Sequence, residues 1–383
     1  MKKSYILIIT LFVLFVGCQP EKIPEEYVFR NAHEAYLGSL EQAGLDKTAL
    51  GRDWKKMSVQ ALNNPVIIDL PYYEEFHLDP AIPGSIGYRF EGKRGHRIEL
   101  EIDFIADDSA LIFIDLFREI SKETAVWKPV ASADSSNYDL QFEPRKDNYY
   151  IIRIQPELLR GGKFSVKIIE KPVLKFPVKG AKRQDIGSFF NDPRPGYRRH
   201  HGIDIFADRH TPVIAPVRSR VRRVGESEVG GRHVWLSDSL RGANYYFAHL
   251  QEISAIQDEW VSPGDTIGTV GNTGNARTTP PHLHFGIYIR REGPVDPLVY
   301  VLPTDTVPDR ISGPVLELNS LMLTNNTADI EYYLTGNGRY DSLLAENSVV
   351  RLLGRQGKYY RIELNNSLIS TILAKDLLAA GPK

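Results

Sequence analysis

The sequence predicts a mainly β, multidomain protein. Three observations carry that expectation. The chain has 383 residues, too many for one ordinary hydrophobic core. Short β-rich runs recur on both sides of a histidine-rich middle. Helical spacing is clear only near the start. Hydrophobic residues are 42% and charged residues 25%, a balance that suits folded domains and excludes a mostly disordered chain or a polytopic membrane protein. The net charge of −1, from 47 basic and 48 acidic residues, provides no field toward nucleic acid, and no nucleic-acid partner is expected. The single cysteine excludes a disulfide scaffold and a cysteine-rich zinc finger.

The first element is an address. Met1-Lys2-Lys3 precedes an apolar run from Tyr5 to Val16, and Gly17-Cys18 follows. The run is too short for a comfortable transmembrane helix and has the layout of a signal peptide. Phe15-Val16-Gly17-Cys18 resembles the lipobox of bacterial lipoproteins, with Phe15 where leucine is usual. The resemblance implies a signal peptide over 1–18, lipidation at Cys18 and contact with a membrane through lipid alone. The expected location is the cell envelope; Gln19 favours the outer membrane, facing the periplasm, if the source is Gram-negative. The alternative is an ordinary signal peptide with a chance cysteine. Residues 19–30 are polar and proline-bearing, as a tether is.

Residues 31–64 read as helical. Tyr36, Leu37, Leu40, Ala43 and Leu45 suggest one amphipathic helix, and Trp54, Met57, Val59 and Leu62 another. Asn63-Asn64-Pro65 ends the pattern. Residues 65–172 then carry alternating runs such as His96-Arg97-Ile98-Glu99-Leu100-Glu101-Ile102 and Phe164-Ser165-Val166-Lys167-Ile168, separated by turn clusters. They predict a jelly-roll-like β-sandwich, read either as a spacer or as a binding domain. His96 is expected on a strand surface. The chemistry lies in 175–305. A proline-bearing linker with Pro303, Pro308 and Pro314 follows, and 315–380 is again β-rich, with the strand order of an SH3-like barrel.

Seven of the ten histidines fall between His200 and His284, in three fragments. These are His200-His201-Gly202-Ile203-Asp204-Ile205, Tyr245-Tyr246-Phe247-Ala248-His249-Leu250 and His282-Leu283-His284-Phe285-Gly286. Ile203 and Ile205 suggest a strand, on which positions four apart share a face, so His200 and Asp204 can converge. His282 and His284 share a face in the same way, with Leu283 and Phe285 on the other. Two imidazoles and a carboxylate are ligands well suited to Zn²⁺, and three protein ligands leave a position open for water. Two more histidines remain for proton transfer. Each fragment alone is weak, since an isolated His-x-His is more often a surface feature.

Together and in this order, the fragments resemble the lysostaphin-type (LytM-like) zinc metallopeptidases, a family of peptidoglycan endopeptidases. Thr211-Pro212-Val213-Ile214-Ala215 and Val270-Gly271-Asn272-Thr273-Gly274 add to the match, which covers roughly 175–300. The resemblance implies an antiparallel β catalytic domain of the duplicated hybrid motif type over 175–305. It implies one Zn²⁺ held by His200, Asp204 and His284, with His249 and His282 as the catalytic histidines. His201 is a competing ligand one residue away; His210 and His233 match nothing and are expected to be surface or satisfied histidines. Gly286 stands where the family often has an acidic residue, and the segment 277–281 is longer than usual. Both departures bear on loop shape and substrate preference rather than on zinc.

The implied activity is hydrolysis of peptide cross-links in peptidoglycan, with zinc-activated water as the nucleophile and a histidine as base. The absence of His-Glu-x-x-His makes histidine the economical base. The implied partner is the peptidoglycan stem peptide, and the segment 181–300, with fourteen arginines to one lysine, suits its carboxylates or is simply a solvated surface. The competing reading is a lipid-anchored, non-catalytic binding protein that activates another wall hydrolase. Inactive relatives of that kind usually lose ligands, whereas all five positions are filled here. A sugar-transport phosphocarrier also uses paired histidines, but it works in the cytoplasm, which the exported N-terminus contradicts.

Overall fold

The computed structural model describes residues 31–105, 109–121, 126–133, 138–302, 316–325, 328–334, 338–364 and 368–379. Cys18, the signal peptide, the 19–30 tether and the linker prolines Pro303, Pro308 and Pro314 lie outside the described residues. Among the described residues no helix is long and apolar enough to cross a membrane.

Two helices open the described chain, Ala32–Gln42 and Ala49–Asn63. Each starts at a side-chain cap: Asn31 accepts from the Glu34 amide and Thr48 from the Gly51 amide. Their apolar face carries Trp54, which is buried and donates its indole N–H to the Pro156 carbonyl at 2.9 Å. His33 stacks on Trp54 with 4.7 Å between ring centroids and bonds Gln155 at 2.8 Å. The helices are thereby fixed to the strand Asn148–Pro156.

Two sheets follow and share one core. The first has five strands in the order Val66–Ile67, Ile86–Gly92, Asn148–Pro156, Ile112–Ser121 and Val126–Ser132. The second begins with Leu140–Phe142, His96–Ile105, Gly162–Pro172 and Tyr72–Leu78. Alternate residues such as Ile98, Leu100, Phe164, Val166 and Ile168 point inward and meet Tyr88, Ile152 and Ile154 of the first sheet.

The second sheet does not stop at Tyr72–Leu78. Glu75 and Phe76 pair with Arg355 and Gly354 of the strand Val349–Gln356, and the sheet runs on through Tyr359–Leu364, Leu368–Leu373, Ala328–Leu334 and Gly338–Leu344. The expected barrel over 315–380 is not seen as a closed barrel among the described residues. The strand Tyr72–Leu78 offers an unpaired edge there, and the C-terminal strands add to it. A buried ion pair marks the junction: Arg361 Nε donates to Glu74 Oε1 at 2.7 Å, and Tyr88 donates its hydroxyl to the other Glu74 oxygen at 2.5 Å.

His96 corrects an expectation. It is buried beside Glu170, with 3.9 Å between Nδ1 and the carboxylate, because the histidine-bearing domain packs on this end of its strand. There Val173 donates its amide to the Gly95 carbonyl, and Arg94 reaches the Tyr300 hydroxyl at 2.5 Å and Glu292 at 2.6 Å. Surface alternation cannot anticipate a neighbour that arrives from 200 residues away in the chain.

The histidine-bearing domain is an antiparallel sheet. Its main path runs Ile186–Ser188, Ile203–Phe206, His282–Ile289, Ala243–Ile253, Gly231–Asp238, Ser219–Ser227 and Trp260–Val261. One face packs a core that includes Ile203, Ile205, Val234, Leu236, Phe247, Leu283 and Phe285. The other face carries the histidines.

Candidate functional site

Register brings the predicted ligands together. The strand Ile203–Phe206 pairs with His282–Ile289 so that Asp204 lies directly opposite His284. Ile203, Ile205, Leu283 and Phe285 are fully buried on the core side, which turns Asp204, His282 and His284 to the opposite face. His200 enters from the segment before Gly202. Its Nε2 lies 2.9 Å from His284 Nδ1 and 3.1 Å from Asp204 Oδ1, and His284 Nδ1 lies 2.9 Å from the same carboxylate oxygen.

Three ligand atoms this close to one another require a shared cation or shared protons. They form the His-Asp-His group that could hold a metal ion among the described residues. Their spacing approaches the edge of a tetrahedral zinc site, about 3.3 Å for ligand distances of about 2.0 Å. The surroundings orient them for that task. His200 Nδ1 lies 2.8 Å from the Phe189 carbonyl, which fixes Nδ1 as the protonated nitrogen and leaves Nε2 bare. Arg194 donates from Nη2 to Asp204 Oδ2 at 2.7 Å and to Ser188 Oγ at 2.8 Å. Burial opposes ionisation of Asp204, but the adjacent His200 and His284 imidazoles outweigh it and hold the carboxyl well below the usual range. Burial pushes the His284 imidazole down.

His249 reaches the site through an irregularity. Strict alternation along Ala243–Ile253 would put it on the core face with Phe247. Instead, Val234 pairs with Phe247 and Arg232 with Leu250, so the strand carries one extra residue between them. Phe247 and Leu250, three apart, both reach the core. The bulge leaves His249 at φ +62° and aims it at the other histidines. Gly231 at φ +57° and Gly274 at φ +72° let two loops cross closely beside it. His249 Nδ1 lies 2.9 Å from the Thr273 carbonyl. Burial, then the charges of His282 and His284, push its pKa down to about 4.

His282 Nδ1 lies 2.9 Å from the Pro280 carbonyl. Its ring centroid is 5.1 Å from that of His249, and His249 is 6.1 Å from His284. His249 and His282 therefore flank the His-Asp-His group with both Nδ1 atoms engaged by carbonyls. The remaining histidines stand apart. His201 is exposed and outside the cluster. His210 is exposed and faces Glu252 at 3.6 Å. His233 is buried with Nδ1 on the Gly231 carbonyl at 3.0 Å.

Residues 198–297 match the model of Peptidase family M23. The segment contains His200, Asp204, His249, His282 and His284. Over 100 residues it is 36% identical to the L-Ala–D-Glu endopeptidase of Bacillus subtilis, covering 24% of this chain and 30% of that protein. Over 91 residues it is 35% identical to the peptidoglycan DD-endopeptidase ShyC of Vibrio cholerae, covering 23% and 20%. This chain thus spans less than a third of the length of either relative. Among solved structures, the catalytic domain of lysostaphin from Staphylococcus simulans is 27% identical, covering 29% of this chain and 87% of that one with a TM-score of 0.27.

Sequence reading missed three contributors to the site. Arg194 lies in a charged, proline-bearing stretch with no periodicity to mark it. Thr273 acts through its backbone carbonyl, which no residue type advertises. Tyr246 meets His284 edge-on at 5.9 Å; its place two before Ala248 on a strand was the available signal.

Proposed function

We propose that the protein is a zinc-dependent endopeptidase that hydrolyses peptide cross-links of bacterial peptidoglycan. The convergence of His200, Asp204 and His284 within 2.9–3.1 Å, flanked by His249 and His282, is the observation that carries this reading. The peptidoglycan endopeptidases among the relatives supply the substrate class.

His200 Nε2, Asp204 Oδ1 and His284 Nδ1 would hold the ion, and the donor set suits zinc. When bound, Zn²⁺ supplies Lewis acidity that polarises a carbonyl and makes water nucleophilic near neutral pH. His249 is neutral at pH 7, and with Nδ1–H engaged by Thr273 its Nε2 lone pair is free to accept a proton. The Pro280 carbonyl arranges His282 in the same way. One imidazole takes the proton of the attacking water. The C–N bond then breaks, and a proton is returned to the leaving amine nitrogen. Arg194 holds the outer oxygen of Asp204, which would leave the inner one free to hold the ion.

The same reading puts the protein at the cell envelope, anchored by lipid on Cys18. An immobile polymer substrate suits an anchored enzyme, because the wall cannot diffuse to it.

The test is digestion of purified peptidoglycan, with products read by mass spectrometry, alongside a chelator and His249→Ala. Loss of cross-linked dimers, abolished by both controls, is the expected result. Intact peptidoglycan in the presence of one bound zinc per chain would overturn it in favour of the non-catalytic activator.

A further inference from the structure

The sheet face that carries His284 continues beyond the metal cluster as a row of side chains. Register puts Arg223 opposite Trp235, Trp235 opposite Tyr246, and Tyr246 opposite Gly286. Trp235 and Tyr246 stack at 4.4 Å and 30°, and Tyr288 packs on Trp235 at 5.2 Å. All three rings stay partly exposed. Aromatic groups left half-open beside a polar centre present hydrocarbon to a ligand.

Two further features give the row its chemistry. Gly286 leaves the floor between His284 and Tyr288 bare: a Cβ there would meet the His201 carbonyl oxygen at 2.9 Å and the Tyr288 ring at 3.2 Å. No carboxylate therefore projects into this part of the groove from that position. At the far end Arg223 is exposed, and it forms no ion pair among the described residues. The nearest acid along its strand, Glu226, lies opposite Arg232. The guanidinium is close enough to Tyr246 to oppose the rise that burial imposes on the phenol. The row thus runs from a metal ligand, over aromatic surface, to an unpaired cationic fork.

We propose that this row is the subsite for a substrate residue whose hydrocarbon stem ends in a carboxylate, so that the enzyme prefers an acidic residue near the scissile bond. The proposal rests on the peptidase reading above. Its geometry is consistent with strand spacing. Three strand intervals separate Arg223 from Gly286, about 14 Å at 4.7–4.9 Å each. The arginine side chain closes part of that gap, and an extended peptide advances about 3.4 Å per residue. With the further two residues from Gly286 to His284, the acidic residue then sits within about three residues of the bond cleaved. Arginine recognises a carboxylate with two parallel hydrogen bonds, which an amide cannot reproduce.

The test compares two purified peptidoglycan preparations, one with free stem-peptide carboxylates and one with those carboxylates amidated, using the full chain. Wild type is expected to cleave the free-acid form about three- to tenfold faster at low ionic strength. In Arg223→Gln the ratio falls to about one, and in Trp235→Ala cleavage of both forms slows. Raising the salt shrinks the wild-type ratio, a readout that needs no variant. Equal wild-type rates on the two preparations, or a preference that survives in folded Arg223→Gln, overturns the proposal and leaves the peptidase reading standing. Failure of wild type to cleave either preparation overturns both.

Discussion

His249 and Thr273 hold one another across the rim of the site. The imidazole Nδ1 lies 2.9 Å from the Thr273 carbonyl, while Thr273 Oγ1 donates to the Leu250 carbonyl at 2.9 Å. The residue after the bulge is thereby tied to the loop that crosses it. This closed arrangement fixes the His249 tautomer and leaves Nε2 as the basic atom.

Removing either flanking imidazole should separate chemistry from metal binding. His249→Ala and His282→Ala are each expected to lower kcat by about 10²–10⁴-fold, with zinc content unchanged by elemental analysis. Loss of zinc in either variant would assign that histidine to the metal instead.

The pH dependence follows from the depressed pKa of His249. A base must be neutral, and an imidazole pushed down to about 4 stays neutral well below the ordinary value of 6.5. The acid limb of kcat/KM is therefore expected below pH 6.5. An acid limb centred at or above 6.5, in a profile taken with metal saturating, would contradict a His249 base.

Asp204 depends on Arg194 for its orientation. Arg194→Gln removes the donor to Oδ2 while leaving all three ligands, and zinc affinity is expected to fall about 10–100-fold. Asp204→Ala should abolish zinc binding near micromolar concentration. Competition with a chromophoric chelator measures both, and the rise of Tm on adding zinc gives an independent check.

The junction between Tyr72–Leu78 and the C-terminal strands rests on Glu74 and Arg361. Glu74 is fully buried, so Glu74→Gln leaves a buried guanidinium without its counter-charge, at a cost of about 3–5 kcal/mol. Hydrogen exchange should quicken first at the amides where Phe76 pairs with Gly354. Uniform exchange across the chain would show that the junction is not a separate weak point.

His33 is a second pH-sensitive group, remote from the metal cluster. Burial and the nearby Arg153 charge push its pKa down to about 4. Between pH 6.5 and 4 the unfolded chain binds the proton more readily, so stability falls as pH drops through that window. The loss is on the order of 2–3 kcal/mol. Denaturant unfolding at pH 7.5 and pH 5 should show it in wild type and show less of it in His33→Gln.

The local chemistry of the site was legible because it follows strand periodicity. His282 and His284 lie at a spacing that a strand converts into a shared face, and Leu283 and Phe285 mark the opposite one; Asp204 alternates with Ile203 and Ile205 in the same way, whereas His200 reaches it from outside the strand Ile203–Phe206. The mainly β character and the two N-terminal helices were legible from strand alternation and from helical spacing. His249 was named only through the order of motifs, since its own position has the wrong parity. Its direction depends on a bulge, and the bulge is visible only once Arg232 and Val234 have found Leu250 and Phe247.

Local patterning alone thus marks the histidines and the aspartate that converge and the faces they share within a strand. The tertiary structure decided which strands meet. Pairing placed Asp204 against His284, aligned Arg223, Trp235, Tyr246 and Gly286 into one row, buried His96 under the histidine-bearing domain, and joined the C-terminal strands to Tyr72–Leu78. The physical reason is range. Alternation and capping are set by neighbours a few residues away, whereas register, bulges and shared edges are set by residues that meet only after the chain has paid the entropy of closing long loops.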